Sequence, residues 1–101
     1  MKLVVDTGNV YTFKLNSGEE LIAKVTSVGP DYVEIESPAS VAPGPQGLGL
    51  VPSMFTADPD VNPKLNNNSI AMYAITDDSV KMKYIEANTG IKVPEKKLVL
   101  G

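Results

Sequence analysis

Apolar and polar residues alternate along residues 10–37, VYTFKLNSGEELIAKVTSVGPDYVEIES, in three short runs joined by two compact turns. Alternation of period two is the mark of a half-buried strand. In the first run, residues 10–15, Tyr11, Phe13 and Leu15 fall on one face and Val10, Thr12 and Lys14 on the other. Asn16-Ser17-Gly18-Glu19 is a turn, where Asn and Gly supply backbone angles that other residues resist. In the second run, residues 20–27, Leu21, Ala23 and Val25 share a face, with Glu20, Ile22, Lys24 and Thr26 opposite. Ile22 makes that second face partly apolar, which predicts a covering helix or a neighbouring subunit. Gly29-Pro30-Asp31 turns the chain again. Val33 and Ile35 then point inward and Tyr32, Glu34 and Glu36 outward. Pro38, with no N–H to donate, is expected to end the ladder.

The later chain is more broken. Residues 38–47, PASVAPGPQG, hold three prolines and two glycines and predict an irregular loop. A fourth strand is expected at 48–55, with Pro52 confining it to an edge or a bulge. A polar loop at 56–68 follows. A fifth strand, Ser69 to Ile75, places Ile70, Met72 and Ala74 on one face and Ala71, Tyr73 and Ile75 on the other. The period then changes. Asp77-Asp78 offers an N-cap and an acidic pair for the positive end of a helix dipole. Val80, Tyr84 and Ala87 form a stripe with Met82 and Ile85 beside it, and Gly90 sits where a C′ glycine belongs. These signals predict a helix of about three turns at 78–89. The tail, 92–101, suits either a short strand at 97–100 or loose chain.

Composition narrows the chemistry. The 101 residues suit one domain, able to bury roughly 60–65% of its unfolded surface. No run approaches about 18 apolar residues, so no membrane helix is written. The start, MKLVVDTGNV, is too short and polar for a signal peptide, which makes the cytoplasm the expected location. The chain has no Cys, His, Arg or Trp. Disulfides, zinc ribbons, thiol nucleophiles and imidazole bases are thereby excluded. Nine lysines stand against 12 acidic residues, for a net charge of −3. A duplex binder working through phosphates is normally basic and uses bidentate Arg, so that class is disfavoured.

Five short meandering strands predict a small closed or nearly closed antiparallel barrel, since closure removes exposed edges. FKLNSGEELIAKVTSVGPDYVEIES resembles the first motif of Sm/LSm-like proteins: an apolar strand, a polar turn with Gly, a long bent strand, a short turn and an apolar strand. The GLGLVPSMFTADPD stretch and the Thr89-Gly90-Ile91 end of the helix are similar to small Sm-like proteins of marine phage origin. The resemblance covers most of residues 10–91. It implies a mainly β, SH3-type (Sm-like) five-stranded bent barrel with one short helix, forming a homo-oligomeric ring through pairing of its fourth and fifth strands. Some family features differ. The usual Gly midway along the second strand is Ala23. The base-binding Asp and Asn have no clean equivalents in Val28-Gly29-Pro30-Asp31-Tyr32, and the Arg-Gly or Lys-Gly turn is absent. No RNA-contact residue is therefore carried over.

Other clusters have simpler explanations. Asp58-Pro59-Asp60-Val61-Asn62 opens like a calcium loop, but Pro63 replaces the turn Gly and Ser69 the closing Glu. A solvated turn-forming loop explains it better. Tyr32, beside the Gly29-Pro30-Asp31 turn, could stack on a base, but with no obvious cation or amide nearby it reads better as an aromatic packing at a strand end or subunit contact. Tyr11, Tyr73 and Tyr84 read as packing residues. Lys81, Lys83, Lys96 and Lys97 read as a solvated face and tail rather than a basic patch. Gly44-Pro45-Gln46-Gly47-Leu48-Gly49 lacks the Lys-Ser/Thr of a phosphate loop. No motif links a nucleophile to a base, so no enzyme, cofactor or metal is expected. Two functions follow. The first is a ring that binds single-stranded RNA. The second is a protein-interaction or structural ring, burying an apolar face around Ile22, Ala71, Tyr73 and Ile75, with no membrane role.

Overall fold

The alternating runs fold as strands. A computed structural model describes residues 2–92. Its elements are β1 (Val10–Leu15), β2 (Glu20–Val28), β3 (Tyr32–Gly44), β4 (Gly47–Pro52), β5 (Lys64–Asn66), a 3-10 turn at Asn67–Ser69, β6 (Ile70–Ile75) and α1 (Asp78–Lys92). The strands form one antiparallel sheet in the order β4-β3-β2-β1-β6, with β5 paired to β3 off that path. β4 and β6 end the path and do not pair with each other, so the sheet is not closed.

Register puts the predicted faces where alternation placed them. Tyr11 opposes Ala23 and Phe13 opposes Leu21 across β1 and β2, and Val25 opposes Ile35 across β2 and β3. These residues, with Leu3 and Val33, make the main core. Phe13, Ile22, Val25 and Val33 are fully buried. Each such side chain contributes about 1.5–3 kcal/mol through removal from water. Ile22 faces the other way and joins Val10, Ala39 and Tyr84 in a second core, with Val80 of α1 packed against it. The helix is therefore the cover that Ile22 required.

One strand feeds both cores. Between the pairs Lys24–Glu36 and Ile22–Ala39, β3 advances three residues where β2 advances two. The extra residue is a β-bulge, which bends the strand and reverses which side chains face inward. Val33 and Ile35 thus enter the main core, whereas Ala39 enters the second. Ser37 lies in the bulge at φ 54°, a left-handed conformation uncommon outside glycine.

Several expectations are corrected. Pro38 does not end the ladder, because it occupies the bulge, where a missing donor is tolerated. Residues 38–47 are mostly the second half of β3 and a hairpin, Gly44 pairing with Gly47, whose φ of 106° suits glycine. The fourth strand is Gly47–Pro52, shorter than 48–55. The polar loop at 56–68 contains the short β5, giving six strands rather than five among the described residues. The helix passes Gly90 to Lys92. Met82 and Ile85, beside the stripe as expected, are exposed. Residues 3–5 precede the first alternating run, yet Leu3 is buried and Val5 packs against the main core. Ile22 and the pair Tyr73 and Ile75 do not share a face. Ile22 opposes Thr12 and thence Ala74, whereas Phe13 opposes Tyr73 and Tyr11 opposes Ile75. The suggested strand at 97–100 lies outside the described residues, as do Lys96 and Lys97.

Candidate functional site

The turn between β2 and β3 and the segment around β5 come together at one end of the sheet. Tyr32 and Asn66 are paired residues, and the Asn67 N–H donates to the Asp31 carbonyl at 2.9 Å. The Gly29 N–H donates to the Tyr32 carbonyl at 2.8 Å, closing the turn. The Tyr32 ring rests on Gly29, where an added Cβ would lie 2.9 Å from the ring's Cζ. Only glycine leaves room for that contact. The Lys64 ammonium stands 5.8 Å from the centre of the same ring, within cation–π range. Lys64 also reaches Glu34 Oε2 at 3.9 Å.

Sequence order concealed this cluster. Lys64 is 32 positions from Tyr32, and only the β3–β5 pairing brings it close. The same pairing brings Asn66, whose Oδ1 accepts from the Asn68 N–H at 2.9 Å, and the turn that follows carries the buried Asn67 and an Asn68 carbonyl that accepts from Asn16 Nδ2 at 2.7 Å. The signal available in the sequence was the Asn66-Asn67-Asn68 run, whose amides favour tight turns. An aromatic ring, a cation and amides at one strand end are the parts of a base-stacking platform. They include no paired nucleophile and base.

The other candidate residues separate. Asp58 Oδ1 accepts from the Asp60 N–H at 2.9 Å, and Asn62 Nδ2 donates to Thr26 Oγ1 at 3.4 Å. Asp58 thus caps its own turn, and Asn62 is turned toward β2 through its nitrogen. Among the described residues no group of three or more His, Cys, Asp or Glu side chains is placed to hold a metal. Lys81 lines a small cleft with Lys24 and Glu36, whereas Lys83 is exposed on the helix. Tyr11 and Tyr84 are buried packing residues, but Tyr73 is partly exposed, its Oη accepting from the Val4 N–H at 3.2 Å. No described helix is long and apolar enough to cross a membrane.

The two ends of the sheet form a second feature. Leu48 and Val51 on β4 are 58% and 43% exposed, and Met72 and Ile75 on β6 are 67% and 61% exposed. Edge strands offer unpaired N–H and C=O groups, and long exposed apolar edges invite pairing with another chain. Neither edge carries a charged side chain: β4 reads GLGLVP and β6 reads IAMYAI. No family model matches the chain, and no curated protein matches it.

Proposed function

We propose that this chain is a non-enzymatic, ring-forming module of Sm-like, SH3-type barrel architecture that holds single-stranded RNA at the Tyr32 end of its sheet. The observation that carries the reading is one sheet ending in two uncharged apolar edges, β4 and β6. Pairing the β4 edge of one copy with the β6 edge of the next is a heterologous contact, and repetition of such a contact generates a ring when its rotation closes. Each copy then contributes one Tyr32 platform, so a ring presents several to a flexible strand.

The test has two parts. Light scattering should give a mass several times that of the chain. Fluorescence anisotropy with oligo-U and oligo-A should show saturable binding at physiological salt. A strictly monomeric species refutes the ring, and flat titrations into the tens of micromolar refute RNA binding. The alternative, a ring serving protein contacts alone, is favoured by one observation. The lysine at the platform shares its charge with Glu34 in a chain of net charge −3, which weakens attraction for phosphate. A protein partner that survives nuclease treatment in a pull-down supports that reading.

A further inference from the structure

A groove of about 360 Å³ lies beside α1, lined by Tyr84, Ala87 and Asn88 of the helix and by residues of β3, β4 and the loop before β5. Ala39, Leu50, Met54, Val61 and Tyr84 supply apolar surface, and four prolines, Pro38, Pro52, Pro59 and Pro63, stiffen its walls. The surrounding chain is tied down. The Ser53 N–H donates to the Pro38 carbonyl at 3.2 Å, the Ile35 N–H to the Pro63 carbonyl at 2.9 Å, and the Val61 N–H to the Asp58 carbonyl at 3.2 Å. The groove is thus preformed, with a volume in the range that holds a ligand group. Among the described residues, the two charged side chains that line it are Glu36 and Asp58, both acidic, and no lysine does. Ser37, the residue held at φ 54°, also forms part of its wall. Backbone strain of this kind persists where surrounding structure over-determines it, often at ligand clamps.

We infer that this groove is a peptide-docking site for a partner segment in which an apolar side chain is flanked by lysine or arginine. The apolar anchor fills the space between Leu50 and Tyr84, and the flanking cation meets Glu36 and Asp58. Charge complementarity selects this occupant. An acidic peptide is repelled at the same two carboxylates, and RNA phosphates are repelled likewise. Lys24 and Lys81 line the adjoining cleft beyond Glu36 and set the limit of the acidic patch. The assignment does not depend on RNA binding, whereas Leu50, Val51 and Pro52 of its wall belong to the β4 edge used in ring pairing, so a docked peptide and a neighbouring copy meet the same strand.

The test uses the full chain, labelled for amide NMR, and three capped hexapeptides: Gly-Lys-Leu-Leu-Lys-Gly, the same peptide with Glu for Lys, and the same with Gln for Lys. The cationic peptide should shift the amides of Ala39, Leu50, Met54 and Ala87, and the acidic one should not. Glu36→Gln with Asp58→Asn keeps the hydrogen-bonding shape and removes both charges. It should weaken the cationic peptide about fivefold at low salt and flatten its salt dependence. Ala87→Phe, which fills the groove, should abolish the shifts. Equal binding of the acidic peptide overturns the inference, as do shifts that avoid the groove. Groove shifts that follow protein concentration without peptide assign the site to a second copy and overturn it too.

Discussion

The Tyr84 hydroxyl donates to the Glu36 carbonyl at 2.8 Å and accepts from the Lys24 N–H at 3.2 Å. One side chain of α1 thus spans β2 and β3 beside the bulge at Ser37. A bulge frees backbone groups from the ladder, and buried groups without partners are costly. Tyr84 supplies the missing partner to both strands. Tyr84→Phe should therefore destabilise the protein by about 2 kcal/mol, since it leaves a donor and an acceptor unsatisfied while keeping the ring. Urea denaturation monitored by far-UV circular dichroism checks this.

The same burial pushes the Tyr84 phenol above its ordinary value of 10.0, against the opposing hydrogen bonds from Lys24 and Asn88. A raised phenol value means that the neutral form is favoured in the folded state. Its contribution is complete below pH 10 and is lost as pH rises from there through the folded value. Wild type should lose stability over that alkaline window, and Tyr84→Phe should lose less.

At the start of α1, Asp77 accepts from Ser79 Oγ and from the N–H groups of Ser79 and Val80. These bonds, the Ser79 hydroxyl first, hold its carboxyl below the ordinary value of 3.8. A depressed carboxyl stabilises the fold above its unfolded value, and that stabilisation disappears as pH falls through the folded one. Asp77→Ala should be less stable than wild type at pH 6. The gap between them should close below pH 3.8, as measured by thermal melts across a pH series.

Gly29 and Tyr32 offer a test of the platform that spares the core. Gly29→Ala puts a methyl 2.9 Å from the ring's Cζ and must displace the ring. Tyr32→Ala removes the platform, and Tyr32→Phe retains it. Stacking contributes about 1–3 kcal/mol per base, so Tyr32→Ala should weaken oligo-U binding about tenfold or more. Gly29→Ala should fall between the two, with Tyr32→Phe near wild type. Anisotropy titrations rank them.

The edge strands can be tested without touching the interior. Val51→Lys and Ile75→Lys place charges at positions already exposed, which should leave the circular dichroism spectrum unchanged. Together they should shift the light-scattering mass toward a single chain. An unchanged mass would show that assembly does not use these edges.

β1, β2 and the first half of β3 were legible because each run alternates cleanly and each turn carries Asn or Gly. Ile22 called for a cover, a helix or a neighbouring subunit, and the helix is what packs on it. Residues 38–47 were not legible, because proline argues against a strand unless a bulge receives it. The bulge itself has no local signature beyond Ser37-Pro38. The helix start was written in Asp77, whose side chain makes the predicted cap, whereas Gly90 misled because a glycine marks a helix end only by preference. The Tyr32 platform was hidden for a different reason. Its lysine and amides arrive through the pairing of β5 with β3, and a strand of three residues leaves almost no pattern to read.

The reversal of facing within β3 has a consequence for how the molecule comes apart. Val33 and Ile35 anchor one hydrophobic layer, and Ala39, a few residues on, anchors the other. Neither layer can loosen without pulling on the strand that belongs to both. Opening should thus be a single cooperative event for the described core, and the slowest-exchanging amides of β1, β2 and β3 should share one exchange free energy whichever layer they line.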